Sequence, residues 1–258
     1  MEVHAHSHTA RKKWTHYLWE FFMLFLAVTL GFFVENQREH YVEHQRVKQY
    51  ARSLIQDLEK DTLMVNEIIA QMKYSVGLID SLAVYLKDKE IEQIRNIDLF
   101  TLVGWIDINR PYTWSRATID QIKNSGALRY FSNDSIVSLI SSYDAFTRHL
   151  DEDYKGDEER AGRASEKRNQ LIDMNYPKEF VNGLWQSRDS MLKTDNFKKL
   201  AMNDPAILTK DLNGLKILLN EKITIRFNIG FRINKELPKI KSDARKLILM
   251  LKKEYRLE

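Results

Sequence analysis

The chain has 258 residues, of which 43% are hydrophobic and 29% are charged, enough to build the core of one or two domains. It contains no cysteine, which excludes disulfides, thiolate catalysis and cysteine-based metal sites. The net charge of +4 is small and mixed in sign, so nucleic acid is not an expected partner. Only 9 glycines and 4 prolines are present, which favours long helices over a turn-rich β fold.

Residues 1–13 form a short polar tail. His4, His6 and His8 alternate in it, and neutral imidazoles are common ligands of zinc, copper and nickel. A tail of this kind imposes no ligand geometry and has no carboxylate nearby to orient the rings. We therefore expect a solvated tail and no cofactor, with weak metal capture as the alternative.

An apolar run follows the tail. From Phe21 to Val34 the sequence has no charged residue, and Thr29 carries the one hydroxyl group. Extended back to Trp14, the run reaches the roughly 20 residues that a helix needs to cross a bilayer. Since bulky residues follow it instead of a small-x-small cleavage site, a cleaved signal peptide is a lesser alternative, as is a buried core helix. We predict a transmembrane helix over residues 14–35.

Basic residues beside this run predict its orientation. Arg11, Lys12 and Lys13 precede it directly, whereas the first basic residue after it is Arg38. Basic flanks tend to stay in the cytoplasm, so we expect residues 36–258 on the other side. The prediction is a single-pass signal anchor with its C-terminal domain outside the cytoplasm, which in a Gram-negative cell means a protein of the inner membrane with a periplasmic domain.

Two pairs of residues inside the run predict contacts in the bilayer. Glu20 lies one helical turn after His16, so the two can pair near the headgroups, or Glu20 can contact a polar partner helix. Ala27 and Gly31 form a small-x-x-x-small pair, which lets two helices approach closely. We expect a homodimer, in which the apolar stripe from Val47 to Met72 either takes part or packs within the chain.

Beyond the membrane the pattern is helical throughout. Apolar residues keep helical spacing after the run, and we predict a membrane-proximal helical stalk over residues 36–97. Residues 98–258 are expected to form a helical bundle domain that packs with the stalk. The predicted fold class is therefore all-α, with an N-terminal transmembrane helix, a long helix and an extended bundle.

Two stretches of the chain carry a family resemblance. The first is WTHYLWEFFMLFLAVTLGFFVENQREH, continued by RVKQYARSLIQDLEKDT, and the second is SRATIDQIKNSGALRYFSNDSIVSLISSY at residues 115–143. They resemble a family of uncharacterised single-span membrane proteins of Gram-negative bacteria. The resemblance implies the same architecture and implies no biochemical activity.

The second stretch also predicts local structure. Thr113 is expected to cap a helix, Gly126 to end it in the left-handed conformation, and Asn133 or Asp134 to cap the next helix. That second helix begins with polar and acidic residues, which argues against a DNA-reading helix.

Aromatic residues beside this stretch form a candidate partner surface. Aromatic side chains near turns often anchor protein interfaces. We expect Tyr112 and Trp114 to stay partly exposed beside Arg110 and Arg116, where they would contact another envelope protein.

Two C-terminal segments are ambiguous. The charge-rich segment 151–168 lacks the spacing of a calcium loop, so we expect a solvated helix face or an exposed connection. Residues 223–233 alternate like a strand, but no other segment offers a partner strand. We predict instead a long helix from about Ile207, bent near Pro238.

The sequence offers few catalytic motifs. It has no glycine-rich phosphate loop, no G-x-S-x-G and no H-E-x-x-H, and His149 is the one histidine after His44. We therefore expect a non-enzymatic, membrane-anchored helical module for protein interaction or scaffolding. The alternative is a sensor or force-coupling subunit that acts through the intramembrane contact at Glu20.

Overall fold

A computed structural model describes residues 14–87, 89–106, 110–172, 188–204 and 211–257 of the protein. Within these ranges the chain is helical and forms no strand, which confirms the predicted all-α class. The predicted tail, with His4, His6 and His8, lies outside the described residues. The chain divides into two compact units, Met1–Tyr50 and Ala51–Glu258, and we describe each by itself.

The first helix, α1, spans Trp14–Lys87. It contains both the predicted membrane segment and most of the predicted stalk, and it ends at Lys87 instead of residue 97. A helix of 74 residues can form here because no proline occurs before Pro111.

In the first unit, every side chain from Trp14 to Val42 is exposed. Thr29 donates its hydroxyl hydrogen to the carbonyl of Phe25 at 2.8 Å, which is how a helix satisfies a hydroxyl without water. Among the described residues, α1 is the helix that is long and apolar enough to span a membrane.

The second unit adds seven described helices to the end of α1. They are α2 (Asn96–Val103), α3 (Ala117–Asn124), α4 (Asp134–Leu171), α5 (Arg188–Leu192), α6 (Asp195–Asn203), α7 (Leu212–Phe231) and α8 (Leu237–Tyr255). Short 3₁₀ turns cover Ile91–Gln93 and Ala127–Tyr130. α4 packs against both α7 and α8, so these three helices form the frame of the unit.

Local signals between α3 and α4 match the sequence with one exception. Gly126 has a φ of 68°, the left-handed conformation predicted for it. The Asn133 side chain accepts a hydrogen bond from the Ser135 amide, so Asn133 is the cap of α4. The predicted helix cap at Thr113 is wrong, because α3 begins only at Ala117 and residues 110–116 are irregular.

The segment that alternates like a strand is helical, which confirms the helical alternative for residues 223–233. Residue 207, the predicted start of this helix, lies outside the described residues. Within the described residues the helix begins at Leu212. A bend was predicted near Pro238, and the structure has a π-turn over Arg232–Glu236, just before the proline. A proline cannot donate to the carbonyl four residues earlier, and a wider turn accommodates its ring.

The apolar stripe of α1 is buried inside the second unit from Ala51 to Met72. Further along α1, Leu78, Ile79 and Leu82 join a hydrophobic core with residues of α2 and α7. The alternative in which the stripe packs within the chain is therefore the arrangement seen for these residues. Dimerisation through the membrane segment stays a prediction.

Candidate functional site

A buried arginine occupies the π-turn between α7 and α8. Arg232 is nearly inaccessible to solvent, and its Nη1 contacts Oδ2 of Asp157, which is equally buried. Its Nη2 lies 3.7 Å from Asp153 Oδ2, and its Nε lies 3.7 Å from Glu236 Oε2. A buried charge needs a partner of opposite sign, and here three carboxylates surround one guanidinium. π-turns often occur at functional sites, so this cluster is the candidate site.

Helical spacing explains why these side chains meet. His149, Asp153 and Asp157 are spaced by four residues on α4, so they line one face of that helix. Arg232 and Glu236 are spaced by four across the π-turn and face them. The two rows bring side chains of opposite charge together where α4 packs against the π-turn that follows α7. We call these five residues the charge ladder.

His149 lies at the exposed end of the charge ladder. Its Nε2 is 3.5 Å from Asp153 Oδ2 and 3.6 Å from Glu236 Oε1. One ligand atom from each of these three residues lies within 4.8 Å of the others. A cavity of about 400 Å³ opens beside them. Its lining includes His149, Asp153, Gly156, Phe231, Arg232 and Glu236.

Tyr112 lies beside the same cluster and is only 8% exposed. Its ring stacks on Trp114 at 5.3 Å and meets Tyr154 edge-on at 6.0 Å. Burial raises the pKa of Tyr112 to about 12, and the charges of Arg232 and Glu236 also act on it. The prediction that Tyr112 stays partly exposed is therefore wrong, because two aromatic neighbours cover it.

The other residues of the predicted partner surface fall into two groups. Trp114 is half-buried, and its Nε1 donates to Asp151 Oδ1 at 3.0 Å. The other oxygen of Asp151 pairs with Arg116 Nη2 at 2.6 Å. Arg110 is exposed and lines a separate cavity of about 470 Å³. Trp114 and Arg116 are thus held against α4, and binding of a partner at these residues stays a prediction.

The predicted residues of the membrane segment are placed as follows. His16 Nε2 lies 2.9 Å from Glu20 Oε1, so the two residues pair along the helix as expected. Ala27 and Gly31 are exposed, and a methyl group added at Gly31 would meet no atom within 4 Å. A contact of either pair with a second helix stays a prediction.

Sequence reasoning missed the charge ladder. The segment 151–168 was expected to be a solvated face or an exposed connection, and much of it is solvated, but Asp157 is buried against Arg232. The spacing of His149, Asp153 and Asp157 by fours was the available signal. It places three polar side chains on one face but does not identify the residue opposite them.

No family model, curated protein or solved structure matches the chain. The resemblance to single-span bacterial membrane proteins therefore stays a prediction.

Proposed function

We propose that this protein is a membrane-anchored, non-enzymatic helical module that binds another protein of the bacterial envelope. The observation that carries the proposal is a pair of aromatic side chains on α7. Phe227 is 69% exposed and Phe231 is 58% exposed, and they lie one helical turn apart on the same face. Neighbouring exposed aromatic rings of this kind mark surfaces that are covered by a partner.

The surroundings of the two rings resemble an interface. Phe231 lines the cavity beside the charge ladder, so an apolar anchor borders a rim of charged side chains. Protein interfaces commonly combine an apolar centre with a polar rim. Burying two phenylalanine rings removes several hundred Å² of apolar surface from water, which is on the order of several kcal/mol of favourable free energy.

A rigid base holds these rings in place. Arg226 precedes Phe227 on α7 and makes two parallel contacts with Asp80 of α1, at 2.5 and 3.1 Å. Such a bidentate pair adds geometric specificity to the packing of the helix that carries the rings. A surface that is already ordered loses less entropy when it binds a partner.

The membrane anchor supports the location. The exposed apolar part of α1 provides the membrane-spanning segment, and Arg11–Lys13 favour a cytoplasmic N-terminus. We place the second unit in the periplasm, with α1 in the inner membrane. Alkaline phosphatase fused after Glu258 should be active, and a green fluorescent protein that folds only in the cytoplasm should be dark. The reverse pattern would place this unit in the cytosol.

A photo-crosslinking experiment tests the binding surface. A benzoyl-phenylalanine residue at position Phe227 should crosslink to a discrete partner in native membranes, because this side chain is exposed on the proposed surface. Leu249 on α8 is also 69% exposed and serves as the matched control position. The adduct should disappear when Phe231→Ser is added. Equal crosslinking from both positions, or none from Phe227, would contradict the proposed surface.

A further inference from the structure

We infer that the second unit binds a divalent transition-metal ion, best matched by Zn²⁺, through His149, Asp153 and Glu236. This inference is independent of the proposed protein interaction. It rests on the geometry of three ligand atoms, on a buried oxygen that makes no hydrogen bond among the described residues, and on the local charge.

The spacing of the ligand atoms fits a tetrahedral ion. Zinc bonds to nitrogen and oxygen are about 2.0–2.2 Å long, so two ligand atoms of a tetrahedral site lie about 3.4 Å apart. His149 Nε2 lies 3.5 Å from Asp153 Oδ2 and 3.6 Å from Glu236 Oε1. The third pair lies within 4.8 Å, which rotation of one carboxylate can close. Three protein ligands leave the fourth position open toward the cavity.

The second observation is a buried oxygen. Glu236 is only 9% exposed, and within the described part of the chain its Oε2 has no hydrogen-bond partner. Buried polar atoms are nearly always satisfied by protein, by water or by an ion. The carboxylate borders the cavity and shares the site with His149, so an ion among the three ligands satisfies Oε2 when the carboxylate binds it through both oxygens.

The charge around the cavity favours a cation. Four carboxylates face the guanidinium groups of Arg160 and Arg232. Arg160 and Arg232 both pair with Asp157, one on each of its oxygens. Asp153 and Glu236 have only longer contacts with Arg232, at 3.7 Å each. The carboxylates are Glu152, Asp153, Asp157 and Glu236.

The donor set selects among cations. One imidazole nitrogen with two carboxylate oxygens suits Zn²⁺ and its neighbours in the first transition row. Ca²⁺ and Mg²⁺ prefer sites made of oxygen alone. Arg232 Nε lies 3.7 Å from Glu236 Oε2, where it orients the carboxylate whose Oε1 faces His149. Such outer contacts commonly hold metal ligands in place.

The experiment must distinguish Zn²⁺ binding at this site from Zn²⁺ binding by the histidines of the N-terminal tail. The full chain carrying His4→Ala, His6→Ala and His8→Ala is therefore the parent protein, purified in detergent micelles. Isothermal titration with ZnCl₂ should show one site per chain, and CoCl₂ should give the visible absorption of a tetrahedral Co²⁺ site. MgCl₂ and CaCl₂ should bind at least about tenfold more weakly than ZnCl₂.

Variants of the parent decide the outcome. His149→Gln should weaken Zn²⁺ binding by more than about tenfold, since it removes a ligand. Zn²⁺ should raise the melting temperature of the parent and leave that of His149→Gln nearly unchanged. His44→Gln, an exposed histidine of the first unit, is the matched control and should bind as the parent does.

Glu236→Gln tests the second ligand but removes a buried charge, so its circular dichroism and melting temperature without metal must first match those of the parent. His149→Gln replaces a half-exposed side chain and keeps the test valid if Glu236→Gln unfolds. Absence of Zn²⁺ binding in the parent, or equal binding by His149→Gln, would overturn the inference. Equal affinity for Mg²⁺ or Ca²⁺ would overturn the assigned metal class.

Discussion

Tyr143 donates its hydroxyl hydrogen to Oδ2 of Asp61 at 2.8 Å, and this bond joins α4 to α1 in the interior of the second unit. The other oxygen of Asp61 accepts from the backbone amide of Ser115 at 2.7 Å. Burial is the largest cause that raises the pKa of Asp61, and its hydrogen bonds offset only part of it. Three segments far apart in the sequence thus meet at one carboxylate.

The raised pKa of Asp61 predicts a pH dependence. A carboxyl group that binds its proton more tightly when folded contributes stability at low pH, and this contribution is lost as pH rises through the folded pKa. We expect the unmodified protein to lose stability relative to Asp61→Asn as pH rises from the ordinary Asp range toward neutrality. Urea unfolding of both proteins across this range measures the difference. A difference that does not change with pH would contradict the prediction.

Lys222 predicts the opposite trend at alkaline pH. It is fully buried on α7, and burial lowers the pKa of Lys222 to about 8. Its charge therefore opposes folding below pH 8, and this cost is relieved as pH rises toward the ordinary lysine value. Lys222→Met should be more stable than the unmodified protein near neutrality, by up to about 3 kcal/mol. This difference in the free energy of unfolding should narrow between about pH 8 and 10. Urea unfolding at these pH values tests it, and a gap that widens would contradict it.

The buried pair of Arg232 and Asp157 should be costly to break. Arg232→Met removes the buried guanidinium that contacts Asp157 Oδ2 and leaves Arg160 as the remaining cation on this carboxylate. This change should lower the free energy of unfolding by about 3–5 kcal/mol. Replacing both partners, with Asp157→Leu added, should recover most of this loss. Lys198→Met removes an exposed pair with Asp195 and is the control, with an effect below about 1 kcal/mol. Equal effects of Arg232→Met and Lys198→Met would contradict the prediction.

Tyr112 should matter through its ring and not through its hydroxyl. Tyr112→Ala should destabilise the second unit by about 3–5 kcal/mol, because it removes a buried ring that stacks on Trp114 and meets Tyr154 edge-on. Tyr112→Phe should be near neutral, since within the described part of the chain the hydroxyl has no hydrogen-bond partner. Thermal unfolding distinguishes the two. A large loss for Tyr112→Phe would show that the hydroxyl has a structural role.

The predicted membrane segment should associate in pairs. Single cysteines at Ala27 and Gly31 should form disulfide-linked dimers in oxidised membranes, because both small residues lie on one open face of α1. The chain contains no natural cysteine to interfere. Thr29 is exposed on the opposite face and is the control position, where a cysteine should crosslink much less. Uniform crosslinking at the three positions would indicate non-specific collision.

Features that depend on neighbours in the sequence were predictable. The apolar run without proline forms a helix, Gly126 adopts the left-handed conformation, and Asn133 caps α4. Helical spacing also resolved residues 223–233 in favour of a helix over a strand. Each of these outcomes follows from backbone sterics, hydrogen bonding within one turn or the period of the side chains, which act over a few residues.

Other features were decided only when distant segments came together. Asp157 and Asp151 belong to the same charge-rich stretch, yet Asp157 is buried against Arg232, while Asp151 is half-buried and holds Trp114 and Arg116. Tyr112 was expected to be partly exposed, but the rings of Trp114 and Tyr154 cover it. The free energy of a charge or an aromatic ring depends on what the opposite helix presents to it. That partner lies tens of residues away, so only the packing of α4 against α7 and α8 determines which polar side chains form the charge ladder.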